Sequence, residues 1–289
     1  MNSTEKAEVL LEALPYMQGF RGETFLIKVG GSAMEDPSLV DRLMRDVVLL
    51  EAVGINPVIV HGGGKAISRA MADAGLKADF VGGLRITDET AIAIVEQTLS
   101  REVNPALVRQ LKDHGGKAVG ISGRDVFVGE KVSGVGQQGE TVDLGFVGRV
   151  TEVELDKVFA FVAYETVPVI SPVASVAGSD SALNVNADLA ASALAAAMKA
   201  TKLVYLSDVR GVMRDPGEEA SLIPTIADSE IEVLIAEGVI TGGMIPKLRS
   251  ASEALHAGVG KVHMIDGRIA HSLLLEIFTD IGIGTEIVP

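Results

Sequence analysis

The sequence predicts an α/β fold in three layers, a central and mainly parallel sheet with helices on both faces. Three observations carry this. Short apolar runs recur at 24–29, 57–61, 117–121, 167–171, 202–206 and 261–265, continuous rather than alternating, as expected for strands buried on both faces. The segments between most of them have helical spacing. The first two runs end in glycine clusters, Gly30-Gly31 and Gly62-Gly63-Gly64, so the chain opens with two strand–turn–helix units.

Taken in order, the first twenty residues set Glu5, Lys6, Glu8 and Glu12 between apolar positions, which reads as an amphipathic helix and lacks the continuous apolar centre of a signal peptide. After the strand at 24–29, Asp36-Pro37 opens a helix that runs to Val53. A second strand at 57–61 leads to a helix over 65–74. Residues 88–114 read as helical, with Asn104-Pro105 as a junction between two segments. The glycine-rich, alternating stretch 126–150 predicts one or two β-hairpins lying over the main sheet. A helix near 154–164, the strand at 167–171 and an alanine-rich helix over 188–199 follow. That helix is too short to span a bilayer and is bracketed by Asp188 and Lys199, so it reads as buried against the sheet. The strand at 202–206 opens a second set of elements, with helices near 229–237 and 243–257 and a strand at 261–265.

The charge balance narrows the partners. A formal net charge of -14 argues against broad binding to nucleic acid or to an anionic membrane. Small anions remain compatible if a few cations converge in one cleft. The chain has no cysteine, which removes disulfides, thiolate metal sites and cysteine nucleophiles together. The cytoplasm is the expected compartment.

In open parallel sheets, ligands bind beyond the carboxyl ends of the strands, where helix N-termini favour anions. Both glycine clusters belong at that edge, although glycine after a strand is also an ordinary turn. Lys28 lies inside an apolar strand, two residues before Gly30, and reads as a cation for a transferring phosphoryl group or as a strand-end lysine reaching for solvent. Lys247, in Gly242-Gly243-Met244-Ile245-Pro246-Lys247, offers a second cation at the start of a helix. Asp188 in Asn184-Val185-Asn186-Ala187-Asp188 either complements the helix dipole or holds both ammonium groups. Arg85 is a candidate clamp for a substrate carboxylate. Gly134-Val135-Gly136-Gln137-Gln138-Gly139 matches GxGxxG formally, but no helix follows and it reads as a hairpin loop. There is no GxxxxGK[ST] element, the five histidines lack metal-ligand spacing, and His61 reads mainly as a structural residue.

In their order and spacing, Ile27-Lys28-Val29-Gly30-Gly31, Val60-His61-Gly62-Gly63-Gly64, Gly83-Leu84-Arg85-Ile86-Thr87, the Asn184 to Asp188 block, Leu206-Ser207-Asp208-Val209 and Gly242 to Lys247 resemble the amino-acid kinase family, within it the N-acetylglutamate kinases. The resemblance covers nearly the whole chain. It implies an amino-acid kinase fold, with residues 1–22 as an N-terminal helix for oligomerisation and regulation, 23–200 as the acetylglutamate-binding lobe and 201–289 as the ATP-binding lobe. It assigns Lys28, Lys247 and Asp188 to catalysis, the lysines on the phosphoryl group and Asp188 organising them. It gives Gly30, Gly31, Gly63 and Gly64 as backbone donors to phosphate, Gly63 and Gly64 also within the substrate site, and Arg85 and Asn184 to the substrate carboxylate. Ser207, Asp208, Gly211, Gly243 and Met244 fall where the family binds nucleotide. The implied reaction transfers phosphate from ATP to the side-chain carboxylate of N-acetyl-L-glutamate, with Mg²⁺ held through the ATP phosphates and no protein metal ligands.

The N-terminal helix and the ending from His271 through Thr285 resemble the arginine-inhibited branch, in which such helices join dimers into a hexamer. Tyr16, His271, Glu276 and Gly282 are the candidates for an L-arginine site on that resemblance, and a PII-type signalling protein is a partner of some relatives. Two alternatives stay open: an N-acetyl-aminoadipate kinase, whose substrate is one methylene longer, and a catalytically inactive nucleotide-sensing protein.

Overall fold

The computed structural model describes residues 2–136 and 139–289, without the side chains of 3–7, 32 and 33. A strand at Thr24–Val29 (β1) shows why the fold has three layers. Successive side chains of a strand point to opposite faces, so Leu26 joins one apolar cluster while Phe25, Ile27 and Val29 join another, and all four are fully buried.

Helix α1 (Ser3–Gly19) precedes β1. Then follow α2 (Pro37–Ala52), β2 (Asn56–His61), α3 (Gly64–Asp73), the short β3 (Phe80–Val81) and β4 (Leu84–Arg85), α4 (Glu89–Thr98), α5 (Asn104–Asp113) and β5 (Ala118–Ile121). Next are β6 (Phe127–Val135), β7 (Thr141–Val153), α6 (Asp156–Ala163), β8 (Val167–Ile170), β9 (Val173–Val176), β10 (Ser179–Val185) and α7 (Ala187–Met198). The chain ends with β11 (Lys202–Ser207), β12 (Thr225–Ala227), α8 (Ile231–Ala236), α9 (Met244–His256), β13 (Lys261–Asp266), α10 (Ser272–Ile277) and β14 (Thr285–Val288).

Eight strands form the central sheet in the order β12-β14-β13-β11-β1-β2-β8-β5. Only the β13–β14 pairing is antiparallel. On one face α7 and α9 bring Ala190, Ala191, Leu194, Leu248 and Ala251 against Leu26, Val58, Leu203 and Tyr205. On the other, α2, α5 and α10 bring Val40, Leu43, Leu107, Leu111 and Leu273 against Ile27, Ile59 and Val204. No helix among the described residues is long and apolar enough to cross a membrane.

Three local readings are refined by the structure. The stretch 126–150 is one hairpin, β6–β7, with two register shifts, and it closes with β9 and β10 into a small four-stranded barrel. β9 and β10 were not foreseen, because their short runs pair only with that hairpin and with each other. Of the GxGxxG segment, Gln137 and Gln138 lie outside the described residues, while Gly134 and Val135 end β6 and the Gly136 amide donates to Glu140 O at 2.8 Å. The junction expected at Asn104-Pro105 is a five-residue π-helical segment, Leu99–Val103, that carries α4 into α5. Its wider turn relieves the clash a proline makes with the carbonyl four residues back.

Register aligns the strand ends. Val29 pairs with both His61 and Leu206, so Gly30, Gly62 and Ser207 leave the carboxyl edge of the sheet at one level. The last residue of β2, His61, is fully buried and shapes this edge. Its Nδ1–H donates to Gly62 O at 2.8 Å, while Nε2 accepts from Asn104 Nδ2 at 3.2 Å; the same amide nitrogen donates to Val169 O on β8. The neutral imidazole satisfies every contact.

Burial pulls the His61 pKa down from 6.5 to about 4. A folded-state pKa below the unfolded one means that the unfolded chain binds more protons between the two values, so this contribution is complete above pH 6.5 and is lost as pH falls toward 4. Its size over that interval is about 3 kcal/mol. Urea unfolding of the wild type and of His61→Gln across pH 4–7 should show a flatter pH dependence in the variant by that amount; parallel curves would assign the acid sensitivity elsewhere.

Candidate active site

Lys28 lies on the face of β1 that packs toward α7, and it is buried. A buried ammonium is costly without a partner, and Asp188 in the first turn of α7 supplies a counter-charge: Oδ1 lies 2.7 Å from Lys28 Nζ. Asp188 is free for this role because Asn186 caps the helix, its side chain accepting from the amides of Asp188 at 2.8 Å and Leu189 at 3.3 Å. The other carboxylate oxygen faces Lys247, at 3.9 Å, one turn into α9. One carboxylate thus joins two ammonium groups, the arrangement that holds positive charge ready for a phosphoryl group.

The glycine turns leave room for that charge. A Cβ at Gly30 would stand 2.4 Å from Lys28 Nζ, and one at Gly63 would stand 2.5 Å from Leu99 Cδ2, so side chains at either position would displace the ammonium or the π-helical segment. The Gly62 amide donates to Val29 O at 2.7 Å, which packs the second turn against the first.

Arg85 ends β4 and is also buried. Nη2 donates to Gly64 O at 2.9 Å and to Ser68 Oγ at 2.8 Å, Nη1 contacts Met71 Sδ at 3.5 Å, and the guanidinium lies 4.7 Å from the centre of the Phe80 ring. These contacts engage three of about five N–H donors of an arginine, leaving two for a ligand. Burial lowers the Arg85 pKa from its ordinary value. Asn184, near the end of β10, donates from Nδ2 to Thr87 Oγ1 at 3.1 Å.

Lys28, Gly30, Gly31, Gly63, Gly64, Arg85, Asn184 and Asp188 line a single cleft of about 240 Å³ at the carboxyl edge of the sheet, and Lys247 reaches it through Asp188. Ser207, Asp208, Gly211, Gly243 and Met244 are not on its wall. Ser207 ends β11 at the same edge, its hydroxyl bonded to Val209 O at 3.2 Å. Gly211 follows in the next loop, packed so closely that a Cβ would meet Thr285 Oγ1 at 2.5 Å, and Gly243-Met244 begins α9.

A second cleft lies toward the opposite edge, where β11 and β13 begin. Tyr16, Glu276 and Gly282 line it together with Lys202, Lys261 and His263. Lys202 Nζ donates to His263 Nε2 at 2.8 Å, and His263 Nδ1–H donates to Glu276 Oε1 at 2.7 Å. Glu276 Oε2 accepts from the amides of Ile283 and Gly284. Burial raises the Glu276 pKa, but these hydrogen bonds outweigh it and the net shift is downward. Tyr16 donates its hydroxyl to Asp280. His271 stands apart, with Nδ1 on Asp46 of α2 at 2.6 Å.

Sequence reasoning missed the supporting residues: Thr87 beneath Arg85 and Asn184, Ser68 and Phe80 around the guanidinium, and Lys202 and His263 in the second cleft. Thr87 stood within a noticed block, yet its partner Asn184 is 97 positions away, a contact with no local signal.

The amino acid kinase family profile matches residues 23–266. The acetylglutamate kinase of Akkermansia muciniphila is 55% identical over 284 residues, covering 98% of this chain and 96% of that protein. That of Aquifex aeolicus is 49% identical over 294 residues, covering 98% and 97%. Among solved structures, N-acetylglutamate synthase from Neisseria gonorrhoeae superposes with TM-score 0.85 at 26% identity in its complex with coenzyme A and N-acetyl-glutamate. Its complex with coenzyme A and L-arginine superposes with TM-score 0.81 at 25% identity. These matches cover 98% of this chain but only 63% and 65% of the synthase chains. The chain is therefore a kinase that belongs to the amino acid kinase family and, within it, to the acetylglutamate kinases.

Proposed function

We propose that this enzyme phosphorylates the side-chain carboxylate of N-acetyl-L-glutamate with ATP, giving N-acetylglutamyl 5-phosphate for arginine biosynthesis. The observation that carries the reading is the single cleft that Lys28, Asp188, Arg85 and Asn184 line together, with Lys247 joined to it through Asp188. Its volume of about 240 Å³ suits a small dicarboxylate, one carboxylate clamped and the other directed at the phosphoryl group.

A carboxylate is ionised at neutral pH, so the acceptor needs no general base. Its oxygen attacks the γ-phosphorus in line, the new O–P bond forms as the bond to the bridging oxygen breaks, and ADP leaves. Lys28 and Lys247 neutralise charge on the transferring group, while amides of the glycine turns at Gly30, Gly31, Gly63 and Gly64 orient it. Nucleotide is assigned to the 201–289 lobe, at Ser207, Asp208, Gly211, Gly243 and Met244, and the acceptor to residues 23–200. Asp188 is engaged by two ammonium groups and suits organising cations rather than ligating a metal, so Mg²⁺ belongs on the ATP phosphates.

The second cleft is assigned to L-arginine as inhibitor, with Tyr16, Glu276 and Gly282 at the site and His271 tying α10 to α2. Carboxylates on the wall of the cleft, Glu276, Asp280 and Glu286, suit a guanidinium or α-ammonium group, and the synthase of the same fold has been crystallised with L-arginine. Helix α1 leaves Val9, Leu10, Leu11 and Leu14 exposed, an apolar surface that suits joining dimers into a hexamer. A cytoplasmic location fits this metabolism, and a PII-type protein belongs to the same regulatory reading.

Three outcomes test the proposal. An ATP-dependent hydroxamate assay should give turnover with N-acetylglutamate well above that with N-acetyl-aminoadipate; the reverse order would assign the longer acceptor. Lys28→Ala and Lys247→Ala should each lower kcat by about 10²–10³-fold with a native circular dichroism spectrum, and near-normal turnover in both would refute the mechanism. L-arginine should inhibit sigmoidally and less well after deletion of residues 1–20, with a smaller assembly in sedimentation; indifference to arginine would end the regulatory assignment.

A further inference from the structure

Thr87 is completely buried, and its hydroxyl sits between the two residues proposed to clamp the acceptor. It donates to Arg85 O at 2.8 Å and accepts from Asn184 Nδ2 at 3.1 Å. A hydroxyl has one proton. Because that proton is committed to the Arg85 carbonyl, only lone pairs face Asn184, and the amide must meet them with its nitrogen rather than its oxygen.

The backbone of Thr87 is held independently. Its amide donates to Leu144 O at 3.0 Å, and its carbonyl accepts from Phe146 N at 2.6 Å. The two bonds straddle Gly145, where φ is +73° and a Cβ would stand 2.2 Å from Thr87 O. The small barrel therefore pins the main chain at 87 whatever its side chain does, and the hydroxyl is left to link β4 to β10.

We propose that Thr87 is a positioning residue for the acceptor. Its hydroxyl sets the spacing of Arg85 and Asn184 and fixes the amide orientation of Asn184, so that Oδ1 and the second N–H of that amide remain available to the acceptor. This rests on the reading that Arg85 and Asn184 bind the acceptor. The hydrogen bonds of the Thr87 hydroxyl go to Arg85 and Asn184, so its effect falls on acceptor binding and leaves ATP binding alone.

Steady-state kinetics on Thr87→Val, Thr87→Ser, Arg85→Ala, Asn184→Ala and the Thr87→Val/Asn184→Ala double variant tests this. Thr87→Val should raise KM for N-acetylglutamate about tenfold, the worth of one buried hydrogen bond, with KM for ATP unchanged. Thr87→Ser keeps the hydroxyl and should stay within about twofold of the wild type on the same scale. The double variant should bind the acceptor no worse than Asn184→Ala alone, because the link acts through Asn184. If Thr87→Val does not fold, Thr87→Ala removes the same hydroxyl with less bulk and carries the same expectation. The proposal is overturned if the hydroxyl-free variant keeps the wild-type KM for the acceptor, if Thr87→Ser is as impaired as Thr87→Val, or if the two lesions add. Should Arg85→Ala and Asn184→Ala both leave that KM unchanged, the acceptor site itself is misassigned and the role of Thr87 falls with it; if they raise it while Thr87→Val does not, only the role of Thr87 falls.

Discussion

A lysine buried in an apolar sheet needs a polar partner, and at Lys28 that partner is a carboxylate around which the site is arranged. Leaving either member of a buried ion pair without its partner costs about 3–5 kcal/mol, so α7 must begin where Asp188 can meet β1. The Asn186 cap sets that start. β10, which leads into it, carries Asn184, and α9 carries Lys247 to the other oxygen of the same carboxylate. The helix that completes one ion pair thus brings Asn184 and Lys247 to the same site.

The glycine turns and the register of the sheet meet the same constraint from the other side. With β1, β2 and β11 ending at one level, the turns after β1 and β2 face the ammonium across a gap that any Cβ at Gly30 would close. Beneath them a buried neutral histidine holds the Gly62 carbonyl, an asparagine holds the histidine, and the π-helical segment brings that asparagine, Asn104, into reach. Unsatisfied polar groups at this depth are costly, so the network stiffens the loop as well as satisfying its members.

The two clefts lie toward opposite edges of the sheet, yet shared elements connect them. β11 begins at Lys202 in one and ends at Ser207 beside the other, and α2, which follows the Gly30-Gly31 turn, holds His271 at the start of α10 through Asp46. A strand and a helix, both packed in the core, thus run from one cleft to the other.

The layer order was legible in the sequence because buried parallel strands leave uninterrupted apolar runs and helices leave their own period. The residues proposed for direct chemistry were legible for a related reason: Lys28 is conspicuous in an apolar strand, and the glycine clusters mark where a backbone must come close to something. The barrel strands β9 and β10 and the short strands β12 and β14 at one end of the central sheet were not, since short segments owe their conformation to partners far along the chain. Tertiary structure alone decided that Asn186 and not Asp188 caps α7, that His271 leaves the second cleft for Asp46, and that Thr87 joins Arg85 to Asn184. The physical reason is the same in each case: a residue's type fixes what contacts it can make, but burial and distance between remote segments, which only the folded chain sets, determine which of them it does make.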